Sequence, residues 1–298
     1  MATSMRIALV FDCDGTIAED TTTRLIRYLG MKPKAFWADV RKREKEGWEP
    51  TLAFMHKLIE FAQENKKKRT ITENTFQDVG RLVKLSRGIP GFFKEVKHFI
   101  QRKYGPKGVS LSIYIASGGI EDIIRASRIN GRLGRNTYVD DIFACRFAYD
   151  SDGVICFPKS IVTFTEKTKL LFAINKGLTS SDLAEDPYCV NDQILPHDRP
   201  VPFQNMIYIG DGPTDVPCMS FLKGRAAEIF AVYTEPRQGI PQQTYVLARH
   251  GRFTRGPYPR DYRSESALRR ALEAELQGLA ERIIGEAAAG RHRGPRHG

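Results

Sequence analysis

Two aspartates, Asp12 and Asp14, stand two positions apart directly behind the apolar run at 7–11. If this run forms a buried strand, alternate side chains lie on the same side of it, so the two carboxylates point the same way. Gly15 and Thr16 then end the strand, which leaves the acids at the edge of the sheet, where parallel sheets bind ligands. Paired acids at such a place can hold a divalent cation, and one of them can attack phosphorus.

Polar residues also follow two later apolar runs. Ser117-Gly118-Gly119 comes after the run at 111–116, and Asp211 and Asp215 come after the run at 206–209. Because the carboxyl ends of parallel strands meet at one edge, we expect these residues to lie near the first pair of acids. A hydroxyl with exposed backbone amides can hold an anion, and carboxylates suit Mg²⁺. A positive charge that would balance the acids is offered by Lys167 and Lys169, near the start of a predicted helix.

Strand and helix patterns alternate along most of the chain, which predicts an α/β fold with a parallel, Rossmann-like sheet flanked by helices. Residues 20–87 show helical periodicity without strand signals, so we expect an inserted helical cap over the carboxyl edge of the strands. The predicted domains are an α/β catalytic core at 1–19 and 88–245, the helical cap at 20–87, and a basic C-terminal extension at 246–298. The predicted strands are 7–11, 111–116, 142–147, 154–156, 206–209 and 229–233.

The C-terminal extension contains one amphipathic helix and a tail. The apolar stripe of the helix favours docking on its own domain, with a homodimer through this helix as the alternative. Residues 287–298 are predicted to be a disordered tail. The stripe consists of Leu268, Leu272, Leu276, Leu279 and Ile283.

The formal net charge of +11 raises the question of nucleic-acid binding. Much of the excess lies in the C-terminal arginines and in the basic run at 66–69, which is most simply a solvated turn between helices. No aromatic residues are interleaved with the basic run at 66–69 as in proteins that bind single strands, and nucleic acid is not the favoured partner.

Neither a membrane segment nor a signal peptide is predicted, because no apolar run approaches the roughly 18 residues that span a bilayer. The five cysteines lack C-x-x-C spacing, which argues against a zinc site and a disulfide framework. A cytoplasmic location is therefore expected.

The order D-x-D-G-T, a strand ending in S-G-G, a helix-borne lysine and G-D-G-x-x-D resembles the haloacid dehalogenase superfamily, within it the phosphoserine-phosphatase-like branch. That branch also carries a helical cap between its first two motifs. The resemblance extends from residue 6 to about residue 235. It implies a phosphatase that uses Mg²⁺ and an aspartyl-phosphate intermediate.

The resemblance also implies a role for each matching residue. Asp12 would be the nucleophile, and Asp14 would protonate the leaving group and then activate water. Ser117 and the amides of Gly118 and Gly119 would bind the phosphoryl group. Thr16 would help to shape the loop, and Thr16 and Thr21 are also expected among the substrate-binding residues.

The resemblance also implies which residues bind the metal and which lysine takes part in the reaction. Mg²⁺ would be bound by Asp12, the backbone carbonyl of Asp14, and Asp211. Asp215 would be a further ligand or an anchor behind the ligands. In this branch the first apolar residue of the helix follows the lysine by three or four positions, which favours Lys167 over Lys169.

The substrate is less well defined than the reaction. Phosphoserine phosphatases hold the amino group of their substrate with a glutamate nine residues after the nucleophile, and that position is Thr21 here. Asp20 is interpreted as the N-cap of the first cap helix, with a substrate ligand as the alternative. The expected function is hydrolysis of a small phosphorylated metabolite. The alternatives are a phosphotransferase or phosphomutase on the same core, and a non-catalytic scaffold that binds nucleic acid or protein through its basic tail.

Overall fold

The computed structural model describes residues 5–65, 70–130, 138–235 and 240–292, and within them one sheet of seven strands runs in the order β4-β3-β2-β1-β5-β6-β7. Neighbouring strands are parallel, except that β3 and β4 form an antiparallel hairpin. This confirms the predicted α/β fold. The strands are β1 (Arg6–Phe11), β2 (Ser110–Ile120), β3 (Asp141–Tyr149), β4 (Ile155–Ser160), β5 (Met206–Gly210), β6 (Glu228–Tyr233) and β7 (Arg255–Pro259).

Helices cover both faces of this sheet and its carboxyl edge. Those of the cap are α1 (Thr21–Tyr28), α2 (Pro33–Lys45), α3 (Pro50–Glu64) and α4 (Glu73–Leu82). Those of the remainder are α5 (Gly91–Lys103), α6 (Glu121–Ala126), α7 (Phe164–Lys176), α8 (Ser180–Glu185), α9 (Val216–Lys223), α10 (Gln242–Arg249) and α11 (Ala267–His292). No helix in the described part of the chain is both long enough and apolar enough to cross a membrane.

Strand β1 lies at the centre of the sheet, and all but its first residue is buried. Its last residue, Phe11, is in register with Ile115 of β2 on one side and Ile209 of β5 on the other. The segments that leave the sheet after β1 and β5 therefore emerge side by side, next to the last residues of β2. Crossover connections run to different sides of β1, which opens a crevice at this edge.

The cap helices begin where the sequence provides start signals. The Asp20 side chain accepts a hydrogen bond of 2.6 Å from the Thr23 amide, which confirms its interpretation as the N-cap of α1. Helices α2 and α3 have proline in their first turn, where the missing amide hydrogen costs no hydrogen bond. The basic run at 66–69, predicted to be a turn, lies outside the described residues.

Strand β7 lies in the segment that the predicted domain division assigns to the extension. It pairs in parallel with β6, so the core sheet continues past residue 245 and the predicted boundary is wrong. Its sequence, R-G-P-Y-P, does not predict a strand, because proline cannot donate a hydrogen bond to a neighbouring strand. Proline is tolerated here because β7 is the edge strand.

Helix α11 docks on its own domain, as the apolar stripe predicts. All five residues of the stripe are buried, so this face is not open to a second copy of the chain, contrary to the homodimer alternative. Buried Arg269 attaches the helix to α5, because its guanidinium pairs with Glu95 at 3.1 Å and lies 4.8 Å from the centre of the Phe92 ring. The helix continues to His292, so a disordered tail from residue 287 is wrong for 287–292, while 293–298 lie outside the described residues. Alanine and arginine are good helix formers, and the docked stripe holds the start of the helix.

We expect Leu276→Ala to lower the free energy of unfolding by about 3 kcal/mol, because the leucine is fully buried and its removal leaves a cavity. The neighbouring change Gln277→Ala should cost less than about 0.5 kcal/mol, because this side chain is partly exposed. Urea denaturation of the two variants measures the difference. Equal stability of the two variants would contradict the docking of α11.

Candidate active site

A buried lysine joins two aspartates at the carboxyl edge of the sheet. Lys167 Nζ donates hydrogen bonds to Asp12 Oδ1 at 2.7 Å and to Asp215 Oδ1 at 2.8 Å. Only 3% of the lysine side chain is exposed. Tyr208 of β5 donates a further hydrogen bond to Asp215 Oδ1 at 2.7 Å. One ammonium group thus holds acids that follow two different strands.

Local structure explains which of the two candidate lysines reaches the site. Thr163 caps the start of α7, and its hydroxyl accepts a hydrogen bond from the Glu166 amide. Lys167, in the first turns of this helix, points inward towards the sheet edge. Lys169 points outward, pairs with Glu166 at 3.1 Å and is 36% exposed. The structure therefore brings Lys167, and not Lys169, to the acids.

Asp14 occupies a different environment from Asp12. Its carboxylate accepts hydrogen bonds from the Thr21 amide at 2.9 Å and from the Thr21 hydroxyl at 3.2 Å. Burial, followed by the charges of Asp20 and Asp12, raises the pKa of Asp14 to about 8. At neutral pH this carboxyl is therefore mostly protonated and can donate a proton. Thr21, expected as a substrate contact, instead positions Asp14.

The pKa of Asp12 is also raised, but only to about 6. Burial is the largest cause and is partly offset by the attraction of Lys167. Asp12 is therefore mostly ionised at neutral pH, and the same pairing raises the pKa of Lys167 far above its ordinary value in spite of burial. Two neighbouring aspartates are thus divided into an ionised group and a protonated group, which is the division that acid and nucleophile roles require.

Asp211 completes a cluster of three carboxylates. Asp12, Asp211 and Asp215 place ligand oxygens within 4.8 Å of one another. Burial and the charges of Asp12 and Asp215 raise the pKa of Asp211 to about 8, so the cluster is short of positive charge. Crowded hard oxygen atoms of this kind fit a hard divalent cation.

The members of this cluster differ in how much of their carboxylate is already engaged. Asp215 Oδ2 accepts hydrogen bonds from the backbone amides of Asp211 and Gly212, in addition to the contacts of its other oxygen. Asp211, in contrast, receives no side-chain hydrogen bond from any described residue. The geometry suits Asp211 to ligand binding and Asp215 to anchoring the loop and the lysine.

Glycine is required at position 15 for two reasons. Gly15 has a φ of +79°, which favours glycine, and a Cβ atom built there would lie 2.1 Å from Asp211 Oδ2. The D-x-D-G-T sequence thus turns sharply away from β1 and leaves room for an acid from β5. The backbone of the loop and the carboxylate of Asp211 are in direct contact.

The Ser117-Gly118-Gly119 segment belongs to the end of strand β2, which continues to Ile120 before α6 begins. Ser117 is buried, and its hydroxyl accepts a hydrogen bond of 3.0 Å from the Gly119 amide. A Cβ atom at Gly119 would lie 2.9 Å from Asp14 Oδ2. Small residues are therefore needed for the strand to approach the acids. The segment expected to bind the phosphoryl group is therefore part of an extended strand, and the Gly119 amide already donates a hydrogen bond to the Ser117 hydroxyl.

A cavity of about 590 Å³ lies between these strand ends and the cap. Thr16 and Thr21 are buried and do not line it, so the expectation that they contact substrate stays a prediction. Its lining residues from the cap are Asp20, Thr22, Trp37, Glu44, Pro50, Thr51 and Phe54. Those from the core are Asp12, Asp14, Ser117, Gly118, Gly119, Val162, Phe164, Lys167, Asp211, Gly212, Pro213, Thr214 and Gln243.

Two side chains that hold the loop after Asp12 were not predicted from the sequence. Ser86 Oγ donates to the Thr16 carbonyl at 2.9 Å, and the guanidinium of Arg260 donates to the Ala18 carbonyl. Arg260 directly follows β7, in the segment predicted to be a basic extension. It also lines a second recess that reaches Asp14 and Asp211 from the other side of the loop. No local spacing marks these contacts, because they join residues far apart in the chain.

No protein-family model matches the chain. It is 23% identical to an uncharacterized protein of Borreliella burgdorferi over 239 aligned residues. The alignment covers 72% of this chain and 78% of that protein. Among solved structures, a probable phosphoserine phosphatase from Vibrio cholerae matches with a TM-score of 0.53 and 16% identity, over 94% of this chain and 67% of that one. A HAD family hydrolase from Salmonella enterica serovar Typhi has a TM-score of 0.49 and 18% identity over 79% of this chain, which spans only 64% of that hydrolase.

The chain has the haloacid dehalogenase fold. The resemblance identified from the motifs is thus confirmed at the level of the fold. Within this haloacid dehalogenase fold, the four motifs follow β1, end β2, begin α7 and follow β5.

We expect Asp211→Asn to raise the free energy of unfolding of the metal-free protein at neutral pH by about 1–2 kcal/mol, because the raised pKa of Asp211 means that folding must protonate this carboxyl, whereas asparagine needs no proton. Asp215→Asn should instead lower it by about 3 kcal/mol, because it breaks the buried pair with Lys167. Denaturation in the presence of a chelator measures both changes. If both variants shift stability in the same direction, the assignment of Asp211 as the open acid and Asp215 as the anchor is incorrect.

Proposed function

We propose that the protein is a magnesium-dependent phosphomonoester hydrolase that acts on a small phosphorylated metabolite through an aspartyl-phosphate intermediate. The observation that supports this most strongly is the contact of buried Lys167 with Asp12 and Asp215 in a cavity that also contains protonated Asp14. A nucleophile, a proton donor and a fixed positive charge converge within it. Phosphoryl transfer mainly needs this positioning and charge stabilisation.

In the proposed first step, an oxygen of the Asp12 carboxylate forms a bond to phosphorus while the bond from phosphorus to the leaving oxygen breaks. Asp14 transfers its proton to the leaving oxygen, which departs as an alcohol. Lys167 offsets the charge on the phosphoryl oxygens. Ser117 and the Gly118 amide contribute hydrogen bonds at the end of β2.

In the second step, Asp14 is a carboxylate and takes a proton from a water molecule. The resulting hydroxide attacks phosphorus, and the bond to Asp12 breaks. Inorganic phosphate and the free Asp12 carboxylate are the products, and Asp14 is again protonated. The Thr21 hydrogen bonds keep the Asp14 carboxyl in one orientation during both steps.

Asp12, Asp211 and the backbone carbonyl of Asp14 would hold Mg²⁺, and Asp215 would orient Asp211's loop and Lys167. When bound, the ion supplies the positive charge that the acids lack and screens the repulsion between phosphate and Asp12. The raised pKa of Asp211, which burial and the charges of Asp12 and Asp215 cause, supports this assignment, because a bound cation would offset that repulsion.

The decisive experiment measures hydrolysis of p-nitrophenyl phosphate with Mg²⁺, after chelation, and after Mg²⁺ is restored. We expect activity that chelation removes and Mg²⁺ recovers, and we expect Asp12→Asn to lower kcat by at least about a thousandfold because the nucleophile is lost. Activity of Asp12→Asn equal to wild type would disprove the proposal. Release of inorganic phosphate, measured with and without added alcohols as acceptors, separates a hydrolase from a phosphotransferase.

Lys167 and Lys169 provide a matched pair of variants two residues apart on one helix. Lys167→Met should lower kcat by about 10²–10³-fold, because a preorganised charge at the reacting group is lost. Lys169→Met should keep kcat within about twofold of wild type, because this lysine pairs with Glu166 at the surface. Thermal unfolding of each variant shows whether it remains folded. A larger loss of kcat in Lys169→Met would reverse the assignment.

A further inference from the structure

The cavity has two chemically different halves. The half at the sheet edge contains the reacting acids and Lys167, whereas the other half faces the cap. The leaving-group half, as we name the second, consists of the cap residues that line the cavity, which are Asp20, Thr22, Trp37, Glu44, Pro50, Thr51 and Phe54. A leaving group attached to a phosphoryl group at Asp12 would lie against these residues.

The charge of the leaving-group half is negative. Asp20 and Glu44 line it, while Lys167 is the basic residue among the described residues that line the cavity, and it is already paired with two acids. This balance is the reverse of that of the whole chain, whose net charge is +11. A second anionic group on the substrate would therefore meet repulsion without a compensating base.

The C-terminal half of helix α2 also presents an acidic residue, and no basic residue, to the cavity. Its last turns contain four basic residues, yet the residue that lines the cavity is Glu44. Glu44 forms no ion pair within the described part of the chain, so its charge is available to a ligand. The basic residues point elsewhere: Arg43, for example, pairs with Glu60. The four are Arg41, Lys42, Arg43 and Lys45.

Aromatic rings line the cavity together with this carboxylate. Trp37 precedes Glu44 by seven residues, or two helical turns, which places both on one face of α2. The Trp37 ring centre is 6.2 Å from that of Phe54 on α3, and its indole nitrogen donates to the Thr23 hydroxyl at 2.9 Å. The ring is therefore held in place. A cation is attracted both by aromatic faces and by carboxylates.

We infer that the preferred substrate is a phosphomonoester whose leaving group carries a positive charge, as an amine or a quaternary ammonium group, and no second anionic group. The inference rests on the proposed phosphatase function. Glu44 would attract the cation electrostatically, and Trp37 and Phe54 would contact its apolar surface.

Three probes test the charge of the leaving group: choline phosphate, its neutral isostere 3,3-dimethylbutyl phosphate, and anionic 3-phosphoglycerate. We expect kcat/KM for choline phosphate to exceed that for the neutral isostere by about tenfold or more, and 3-phosphoglycerate to be the poorest of the three. The preference should fall as salt is raised, because the contribution of the charge is screened.

Glu44→Gln should lower the ratio of kcat/KM for choline phosphate to that for the isostere by about tenfold. Glu46→Gln is the matched control, because Glu46 follows on the same chain segment but pairs with Lys42 outside the cavity, and it should leave the ratio unchanged. Trp37→Leu, with thermal unfolding to check its fold, should also lower the ratio.

Equal kcat/KM for the charged and neutral probes, preference for 3-phosphoglycerate, or an unchanged ratio in Glu44→Gln would each overturn the inference. Hydrolysis of p-nitrophenyl phosphate reports separately on the phosphatase proposal. If that activity is present while the preference for the cation is absent, only the inference about the substrate fails. If no phosphate ester is hydrolysed, both fail.

Discussion

The need to balance several buried carboxylates with one buried ammonium group governs this structure. Asp12 and Asp215 follow different strands, and each accepts a hydrogen bond from Lys167. Without the lysine, the repulsion between the two carboxylates would lower the free energy of unfolding. The lysine in turn needs both acids, because burial alone would favour its neutral form. Tyr208 and two backbone amides complete the arrangement around Asp215. Charge, topology and hydrogen bonding are therefore satisfied together at one edge of the sheet.

The fold supplies this arrangement through the position of β1. Because β1 lies between β2 and β5, the segments that leave these three strands emerge next to one another. The loop after β1 is then held from three directions: Gly15 contacts Asp211, Ser86 donates to the Thr16 carbonyl, and Arg260 donates to the Ala18 carbonyl. Rigid support of this kind keeps reacting groups at fixed distances. The C-terminal segment is thus part of the support of the candidate active site.

The cap and the core make separate contributions to the proposed chemistry. Core residues provide the charges that act on the phosphoryl group, and residues of α2 and α3 define the surroundings of the leaving group. The acids of the core have raised pKa values because they are buried and repel one another. The cap adds Glu44 beside aromatic rings, so selectivity can vary there without disturbing the reacting groups.

The amino-acid sequence was sufficient to predict the class of fold and several of the residues that gather at the edge of the sheet. Asp12, Asp14, Ser117 and Asp211 were recognisable because each directly follows or ends an apolar run, and the spacing of side chains along a strand is a local property. Asp20 was likewise predictable as an N-cap, because capping involves residues three positions apart.

Which distant residues meet these groups depends on the packing of the folded chain. It placed Lys167 rather than Lys169 at the acids, turned Thr21 towards Asp14, and brought Arg260 to the loop after β1. It also buried the stripe of α11 against its own core and put Glu44 in the cavity. These contacts depend on packing between segments far apart in the chain, and such packing leaves no periodic or short-range signal in the sequence.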